Sequence, residues 1–205
     1  MAITAEQQTD ILEVVAGLFN AAPGSTYMTE LANLVEGGMS IEELADLLDD
    51  TPVFKTEILA GKVTTEAQVG ILMDHFGLEA DDDPASAGSQ AEAYFTQKLE
   101  AGEGLGKIVF DAVTYLTGTP APEFADTAAL LANKVQVARL YSEDHASADV
   151  DELQSILAGV SATSPVTEAE AQDYLDSIGQ GDNPGSDFAL TFGADTFTGG
   201  AGDDT

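Results

Sequence analysis

The fold class is decided by residues 40–48, SIEELADLL. Ser40 and Glu43 stand three residues apart, the spacing of a capping box, in which the two residues bond each other's backbone amides at a helix start. The apolar residues that follow lie at helical spacing: Ile41, Leu44, Ala45 and Leu48. The preceding pair Gly37 and Gly38 is typical of the end of an earlier helix. The stretch therefore predicts a short amphipathic helix that begins after Ser40.

Similar stripes recur on both sides of this segment and predict ten short amphipathic helices. Further capping-box pairs mark other helix starts: Thr4 with Gln7, Thr65 with Gln68, and Ser89 with Glu92. The stripes occupy residues 11–19, 27–35, 41–48, 52–59, 69–76, 89–99, 105–116, 126–141, 150–160 and 174–178. Because Gly and Pro separate them, we expect residues 1–178 to form an all-α domain, a multi-helix bundle of short amphipathic helices.

The charge of the chain restricts its partners. Of 205 residues, 37 are acidic and 6 are basic, which gives a net charge of -31. Nucleic-acid binding needs clustered Lys and Arg, and docking on anionic lipid needs a basic patch, so both are disfavoured. Hydrophobic residues make up 44% of the chain, enough for a buried core. Self-repulsion is expected to make the fold sensitive to salt and to divalent cations.

Targeting signals are also sparse. There is no cysteine, which excludes disulfides and thiol chemistry. The first ten residues, MAITAEQQTD, lack the basic and apolar regions of a secretory signal peptide. No run approaches the roughly 18 apolar residues of a membrane span, so direct membrane insertion is not expected. Taken alone, these features favour the cytoplasm.

The end of the chain carries a different pattern. Residues 193–205 read GADTFTGGAGDDT, in which a glycine and an aspartate both recur after nine residues. The pattern matches a calcium-binding nonapeptide, G-G-x-G-x-D-x-U-x, at these predicted metal-site positions: Gly193, Asp195, Gly199, Gly200, Gly202 and Asp204. Calcium requires six to eight oxygen ligands, which one and a half repeats cannot supply. We therefore expect the chain to be the front part of a longer protein; the alternative is a solvated Gly- and Asp-rich terminus.

This tail resembles the repeats of RTX proteins, which leave the cell by type I secretion and fold when they meet external calcium. The helical stripes, the Gly-, Asp-, Asn- and Pro-rich composition after residue 178 and this resemblance together divide the chain into three parts. These are a helical domain at residues 1–178, a linker at residues 179–187, and the truncated start of the nonapeptide repeats at residues 188–205. The resemblance implies calcium as cofactor and the beginning of a calcium-binding β-roll at the C-terminal end. It also implies secretion, because a type I export signal would lie beyond Thr205.

A weak internal repeat extends the resemblance to the helical part. A segment beginning FNAAP at Phe19 and another beginning FGLEA at Phe76 each lead through tyrosine to a helix. With the later ALLANKVQVARLY run, residues 11–141 resemble a helical repeat domain of secreted bacterial proteins. A similar segment precedes the RTX repeats of proteobacterial S-layer proteins and anchors the lattice to lipopolysaccharide. The resemblance implies a non-enzymatic module at the cell surface that binds polysaccharide or lipopolysaccharide, with self-assembly through repeats beyond residue 205.

Two other functions stay open. The first is the accessory helical domain of a secreted RTX hydrolase or epimerase whose catalytic part follows residue 205. The second is an intracellular acidic scaffold. No nucleophile elbow, phosphate-binding loop or zinc-protease motif is present in the sequence. The full-length sequence would separate these readings, because a catalytic motif downstream favours the enzyme.

Single residues with possible chemistry have ordinary structural explanations as well. His75 and His145 are expected at helix ends or partly exposed, where the helix dipole favours their charge, and are alternatively metal ligands beside carboxylates. The run at residues 81–83 (Asp-Asp-Asp) reads as a solvated loop or as a calcium ligand. Lys134 and Arg139 are expected to snorkel or to pair with acids, with sugar or phosphate binding as the alternative. Five aromatic residues are expected in the core rather than on a carbohydrate platform: Tyr27, Tyr94, Phe95, Tyr115 and Tyr141.

Overall fold

The computed structural model describes residues 3–181. Its α-helices are α1 (Ala5–Phe19), α2 (Gly24–Glu36), α3 (Ile41–Asp49), α4 (Thr65–His75), α5 (Ala87–Glu100), α6 (Leu105–Thr117), α7 (Ala125–Asp144), α8 (Val150–Ser155) and α9 (Glu168–Ser177). Over these residues the only β feature is an isolated bridge between Ser161 and Ser164, so the all-α prediction is confirmed there. The predicted β-roll at residues 188–205 lies outside the described residues.

Capping boxes begin three of the helices. At the start of α3 the Ser40 amide donates to Glu43 Oε2 at 2.9 Å, and the Glu43 amide donates to Ser40 Oγ at 3.2 Å. The same reciprocal arrangement begins α1 at Thr4 and α9 at Thr167. Each box satisfies two backbone donors that a helix start would otherwise leave unbonded. The boxes predicted at Thr4 and Ser40 are therefore confirmed.

The predicted start of α4 is wrong by one residue. Thr64, not Thr65, is the N-cap, and its hydroxyl accepts a hydrogen bond from the Ala67 amide at 3.3 Å. Two consecutive threonines offer the same side chain at neighbouring positions. The local sequence consequently does not distinguish which of them occupies the extended N-cap conformation.

The predicted start of α5 at Ser89 is also wrong. Ser86 is the N-cap, and its hydroxyl accepts from the Ser89 amide at 3.2 Å. The first turn of α5 is fixed by a contact that the sequence does not reveal, because Gly88 lies directly against the loop before the helix. A Cβ on Gly88 would lie 1.8 Å from the carbonyl oxygen of Glu79. Only glycine permits this approach, and the helix begins earlier as a result.

Two other predicted helices are shorter than expected. Residues 52–59 contain a single π-helical turn, Phe54–Ile58, in which the Leu59 amide bonds the Phe54 carbonyl at 2.9 Å. Helix α8 ends at Ser155 rather than continuing to residue 160. The Tyr174 side chain of α9 explains this end, because its hydroxyl donates to the Ile156 carbonyl at 3.0 Å and accepts from the Gly159 amide at 3.2 Å. Backbone groups beyond α8 are thus bonded by a side chain instead of by another helical turn.

The core lies where α3 crosses α6 and where α7 packs against α1, α2 and α9. At the α3–α6 crossing, Gly106 sits against the backbone of Ala45, where a Cβ would lie 2.3 Å from the carbonyl oxygen. The Asp49 carboxylate at the end of α3 accepts a hydrogen bond from the Gly106 amide at 2.6 Å. A negative charge at the N-terminus of α6 is favourable for the helix dipole. Leu44 and Ile108, both fully buried, fill the adjacent core.

The segment around α8 closes the fold against the α1–α2 turn. The Ala22 amide donates to the Leu153 carbonyl at 3.0 Å, and the Ser25 amide donates to the His145 carbonyl at 2.7 Å. The Gln154 side chain adds a third bond, to the Phe19 carbonyl at 2.7 Å. Backbone groups left unbonded between α1 and α2 are therefore satisfied by residues more than a hundred positions later in the chain.

Candidate functional site

A cleft of about 420 Å³ opens between α5, α6 and the start of α7. We call it the aromatic cleft, after the aromatic side chains that line it: Phe76, Tyr94, Phe95, Tyr115 and Phe124. Polar side chains also line it: Gln90, Asp111 and Thr127. Its volume lies within the roughly 300–1,000 Å³ typical of small-ligand sites, which are concave, mostly apolar and carry a few polar groups.

The base of the cleft is buried and its rim is exposed. Phe76 follows the last residue of α4 and Phe95 lies on α5; their rings stack at 6.0 Å and are only 2% and 3% exposed. At the rim Tyr115 of α6 is 43% exposed, and its ring meets Phe124 edge-on at 5.5 Å. The Tyr115 hydroxyl accepts a hydrogen bond from the Ala121 amide at 2.8 Å, which holds the ring in place. A ligand would therefore meet a preformed aromatic surface.

Two polar groups of the cleft are positioned by neighbouring side chains. Asp111 forms an ion pair with Lys107, one helical turn earlier on α6. The Gln90 amide nitrogen donates to Glu123 Oε1 at 3.0 Å and to the Ala85 carbonyl at 2.7 Å. Since both side chains are fixed by these bonds, little conformational entropy would be lost when they bond a ligand.

The surroundings of Tyr94 further favour the neutral form of its hydroxyl, which is already the dominant form of a tyrosine at neutral pH. Burial raises the pKa of the Tyr94 hydroxyl above 10.0, and the nearby negative charge of Asp111 raises it further. Lys98 lies over the Tyr94 ring with Nζ 5.6 Å from the ring centroid, and it also bonds Glu103 at 2.8 Å. At neutral pH Tyr94 is thus an uncharged aromatic group with a hydroxyl that can donate.

This arrangement suits a ligand with an apolar face and several hydroxyl groups. Aromatic faces are electron-rich and attract C–H groups, while carboxylate and amide oxygens accept hydrogen bonds from hydroxyls. A sugar ring has both kinds of group. Asp111 is the one carboxylate among the side chains that line the cleft, and it is paired with Lys107.

The predicted calcium positions cannot be placed, because residues 193–204 lie outside the described residues. The acidic loop at residues 81–83 is described, and its carboxylates bond the loop itself. Asp81 Oδ1 accepts from the Asp83 amide, and Asp83 Oδ1 accepts from the Ala85 amide, both at 2.9 Å. Hydrogen bonds from Ser86 and from the Asp83 amide lower the pKa of Asp81. Across residues 3–181 no group of three or more His, Asp or Glu side chains has the arrangement of a metal site.

His75 is not the partly exposed, charged histidine that its position suggested. It is the last residue of α4 but is only 7% exposed, and its Nδ1 lies 3.0 Å from the Gly17 carbonyl of α1. Burial lowers its pKa to about 4, so the ring is neutral at pH 7 and Nδ1 carries the donated proton. The expected stabilisation of a charged ring by the helix dipole is therefore wrong for His75.

Lys134 likewise neither snorkels nor pairs with an acid. It is 5% exposed in the middle of α7, and its ammonium donates to Asn20 Oδ1 and to the His75 carbonyl, each at 2.7 Å. These acceptors stand at the C-terminal ends of α1 and α4, where carbonyl groups carry partial negative charge. Burial lowers the pKa of Lys134 to about 8. Lys134 of α7 thus connects the ends of α1 and α4, and the prediction that it snorkels or pairs with an acid is wrong.

The remaining single residues follow ordinary packing. Arg139 pairs with Glu143 at 3.1 Å and with Glu168 at 2.6 Å, which confirms the expected pairing with acids. His145 follows the last residue of α7, and its ring stacks on Tyr141 at 4.6 Å. Tyr141 itself is 1% exposed and belongs to the core, as expected.

The aromatic residues divide between core and surface. Phe95 is a core residue that also forms the base of the cleft, whereas Tyr94 is partly buried and Tyr115 is exposed at its rim. Sequence reasoning assigned all of them to the core and gave no role to Gln90 or Asp111. The sequence contains no signal for the cleft, because a tyrosine at helical spacing looks the same on a buried and on an exposed face. The 43% exposure of Tyr115 is visible only in the structure.

Comparison with protein-family models, with curated proteins and with solved structures gave no match. The assignment to a family therefore stays a prediction based on the residues. In residues 3–181 no helix is both long enough and apolar enough to cross a membrane.

Proposed function

We propose that this chain is the non-enzymatic N-terminal module of a secreted, calcium-dependent surface protein, S-layer-like or adhesin-like, and that it holds this protein on cell-surface polysaccharide or lipopolysaccharide. The observation that carries the proposal is the aromatic cleft, a preformed site with an exposed Tyr115 ring and fixed polar groups. The RTX-like tail supplies the link to calcium and to type I secretion.

The cleft favours an uncharged sugar over a charged one. Asp111 is the charged residue that lines it, and the whole chain carries a net charge of -31. No Lys or Arg lines the cleft, and the neighbouring Lys107 and Lys98 are already paired with Asp111 and Glu103, so an acidic sugar or a phosphate would lack a free basic partner there. We therefore expect the bound unit to be a neutral sugar within the polysaccharide. Calcium would bridge anionic groups of the chain and of the polysaccharide and so offset their mutual repulsion.

Calcium has a second role in the proposal. The positions at Gly193, Asp195, Gly199, Gly200, Gly202 and Asp204 would form calcium shells only when further repeats follow them, because the ion needs six to eight oxygens. Repeats beyond residue 205 would carry folding and self-assembly. The helical part would then provide attachment to the cell.

The test is binding of the full chain to polysaccharide and lipopolysaccharide extracted from the organism that produces it, with millimolar calcium. Tyr115→Ala removes the exposed ring of the cleft and should weaken binding about tenfold, a loss of ~1.4 kcal/mol. Tyr115→Phe keeps the ring and should retain most of the affinity. Tyr27→Ala is the matched control, because it truncates a tyrosine that does not line the cleft.

Equal binding by Tyr115→Ala and by the unmodified chain would remove the cleft from the proposal. The anchoring function would be wrong if the chain bound no preparation in calcium and a catalytic domain were found after residue 205. The chain would then be the accessory domain of a secreted enzyme.

A further inference from the structure

A second concave surface lies on the opposite set of helices and is distinct from the aromatic cleft. We call it the apolar groove. It lies between α1, α2, α3, the residues just before the π-helical turn, and α8. Six of the apolar side chains that line it are Phe19, Leu31, Leu34, Leu47, Val53 and Leu153. Three of the exposed large hydrophobic residues meet there, namely Leu34 at 36%, Leu47 at 43% and Val53 at 38% exposure. Exposed apolar residues that converge in a groove typically mark an interaction surface.

The size of the groove argues for a protein segment rather than a small molecule. Its volume is about 250 Å³, below the roughly 300–1,000 Å³ of small-ligand sites. A groove of this size takes a few apolar side chains that project from a docked element. Amphipathic helices dock in this manner, through apolar residues spaced at i, i+3, i+4 and i+7.

The charge around the groove specifies the flanks of the partner. None of α2, α3 and α8 contains Lys or Arg, so no basic residue of these helices would repel a basic partner. Glu30 is the charged residue among those that line the groove. Lys55, on the adjacent π-helical turn, is paired with Asp50. A segment with basic residues beside its apolar stripe would be complementary, and an acidic one would be repelled.

We propose that the apolar groove binds a basic amphipathic helix of a partner protein. A second copy of this chain is a poor occupant, because an interface between identical surfaces would bring Glu30 of both copies together, and α2, α3 and α8 contain no Lys or Arg to offset it. The proposal is independent of the glycan function, since the groove and the aromatic cleft share no lining residue.

The test uses three synthetic peptides of about 15 residues, long enough to form a helix. The first combines Leu at i, i+3, i+4 and i+7 with Lys elsewhere; the second has the same composition in scrambled order; the third has Glu in place of Lys. Binding to the full chain is measured by calorimetry at physiological salt, and the site is mapped by amide chemical-shift changes. The ordered Lys peptide should bind about tenfold more tightly than the scrambled peptide and should shift amides of α2, α3 and α8.

Matched variants locate the binding. The double variant Leu34→Ala, Leu47→Ala shortens two exposed side chains of the groove and should weaken the ordered peptide about tenfold. Val63→Ala and Val166→Ala shorten apolar side chains that are 79% and 52% exposed elsewhere, and should leave its affinity unchanged. All four positions are exposed, so the variants should fold.

Several results would overturn the proposal. If the groove and control variants lost the same peptide affinity, or if the ordered and scrambled peptides bound equally, the binding would be non-specific attraction of a basic peptide to an acidic protein. Equal binding of the Glu peptide would remove the charge argument. A dimer in sedimentation experiments that Leu47→Ala dissociates would make a second copy the occupant. Residues 188–192 (FALTF) are an apolar run near the end of the chain. Tighter peptide binding by the full chain with Phe192→Ser would make this run the occupant.

Discussion

Gly106→Ala tests the close crossing of α3 and α6. The added Cβ would lie 2.3 Å from the Ala45 carbonyl oxygen and 2.7 Å from the Asp46 nitrogen. Both contacts are with backbone atoms, which cannot rotate away as a side chain would. Real Cβ atoms keep at least 3.0 Å from such atoms, so the two helices would have to separate by about 0.7 Å.

The cost of this separation follows from what the crossing contains. Overpacking of a well-packed core costs about 1–3 kcal/mol. The hydrogen bond between the Gly106 amide and Asp49, a charged acceptor at 2.6 Å, would be strained and part of its ~1.5–3 kcal/mol lost. The better helix propensity of alanine returns ~1 kcal/mol. We expect a net destabilisation of roughly 2–3 kcal/mol.

Gly70→Ala is the matched control. Gly70 also lies inside a helix, α4, but a Cβ there would meet no atom within 4 Å. The substitution should therefore stabilise the chain by ~0.5–1 kcal/mol through helix propensity alone. The two variants exchange the same residue types, so the difference between them reports the space around the new methyl group and the strain on the Gly106–Asp49 hydrogen bond.

Urea unfolding followed by circular dichroism at 222 nm would measure both. With a slope of about 1–3 kcal/mol per molar urea, a difference near 3 kcal/mol separates the two midpoints by at least about 1 M. A Gly106→Ala midpoint within about 0.3 M of the unmodified chain would show that the helices do not cross as closely as described. Destabilisation by Gly70→Ala would refute the reasoning from open space.

Four further predictions follow from other features. The pKa of Lys134 lies near 8 in the fold and near 10.5 in the unfolded chain, so between these pH values only the unfolded chain still holds the proton. The free energy of unfolding should therefore rise by about 3 kcal/mol from pH 8 to pH 10.5, relative to the same change in Lys134→Met, as measured by urea unfolding at both pH values. Burial, and then the negative charge of Asp10, raise the pKa of Glu13 to about 7. The stability that protonated Glu13 contributes below pH 4.5 is therefore lost as the pH rises through 7. Glu13→Gln should unfold in urea with a free energy ~1 kcal/mol higher than the unmodified chain at pH 8, after allowance for the partial exposure of Glu13. Ser40→Ala should lower the unfolding midpoint by an amount equivalent to ~1 kcal/mol, because α3 loses its cap. Extension of the chain by several repeats should create calcium binding, measured by calorimetry, that Asp204→Ala weakens; no binding at millimolar calcium would contradict the RTX assignment.

Features that depend on neighbouring residues could be predicted from the sequence. The capping box at Ser40 and Glu43 is one example, since both partners lie within one helical turn. Features that depend on distant residues could not. The first turn of α5 is determined by the approach of Gly88 to Glu79 across a loop, and nothing in the local sequence around Ser89 signals it.

The candidate site was hidden for the same reason. Tyr94 and Tyr115 lie on different helices, and each satisfies a helical apolar stripe as a core residue would. Asp111 is one of 37 acidic residues and has no distinguishing sequence context. Only the packing of α5 against α6 brings these side chains to one cleft. Lys134 shows the converse case. A lysine among apolar residues is expected to reach the surface or an acid, but Lys134 is buried, and its ammonium is bonded to Asn20 after α1 and to His75 at the end of α4.

The bonds that join the α1–α2 turn to the region of α8 give the chain two natural reporters of its folding. The Ala22 and Ser25 amides are bonded to the Leu153 and His145 carbonyls, so they can exchange with solvent only when the segment around α8 detaches. Contacts this distant in sequence also raise contact order, which slows folding. A ribosome would have to release nearly the whole helical part before these two amides become protected, and hydrogen exchange at them would distinguish a complete fold from one that stops at α7.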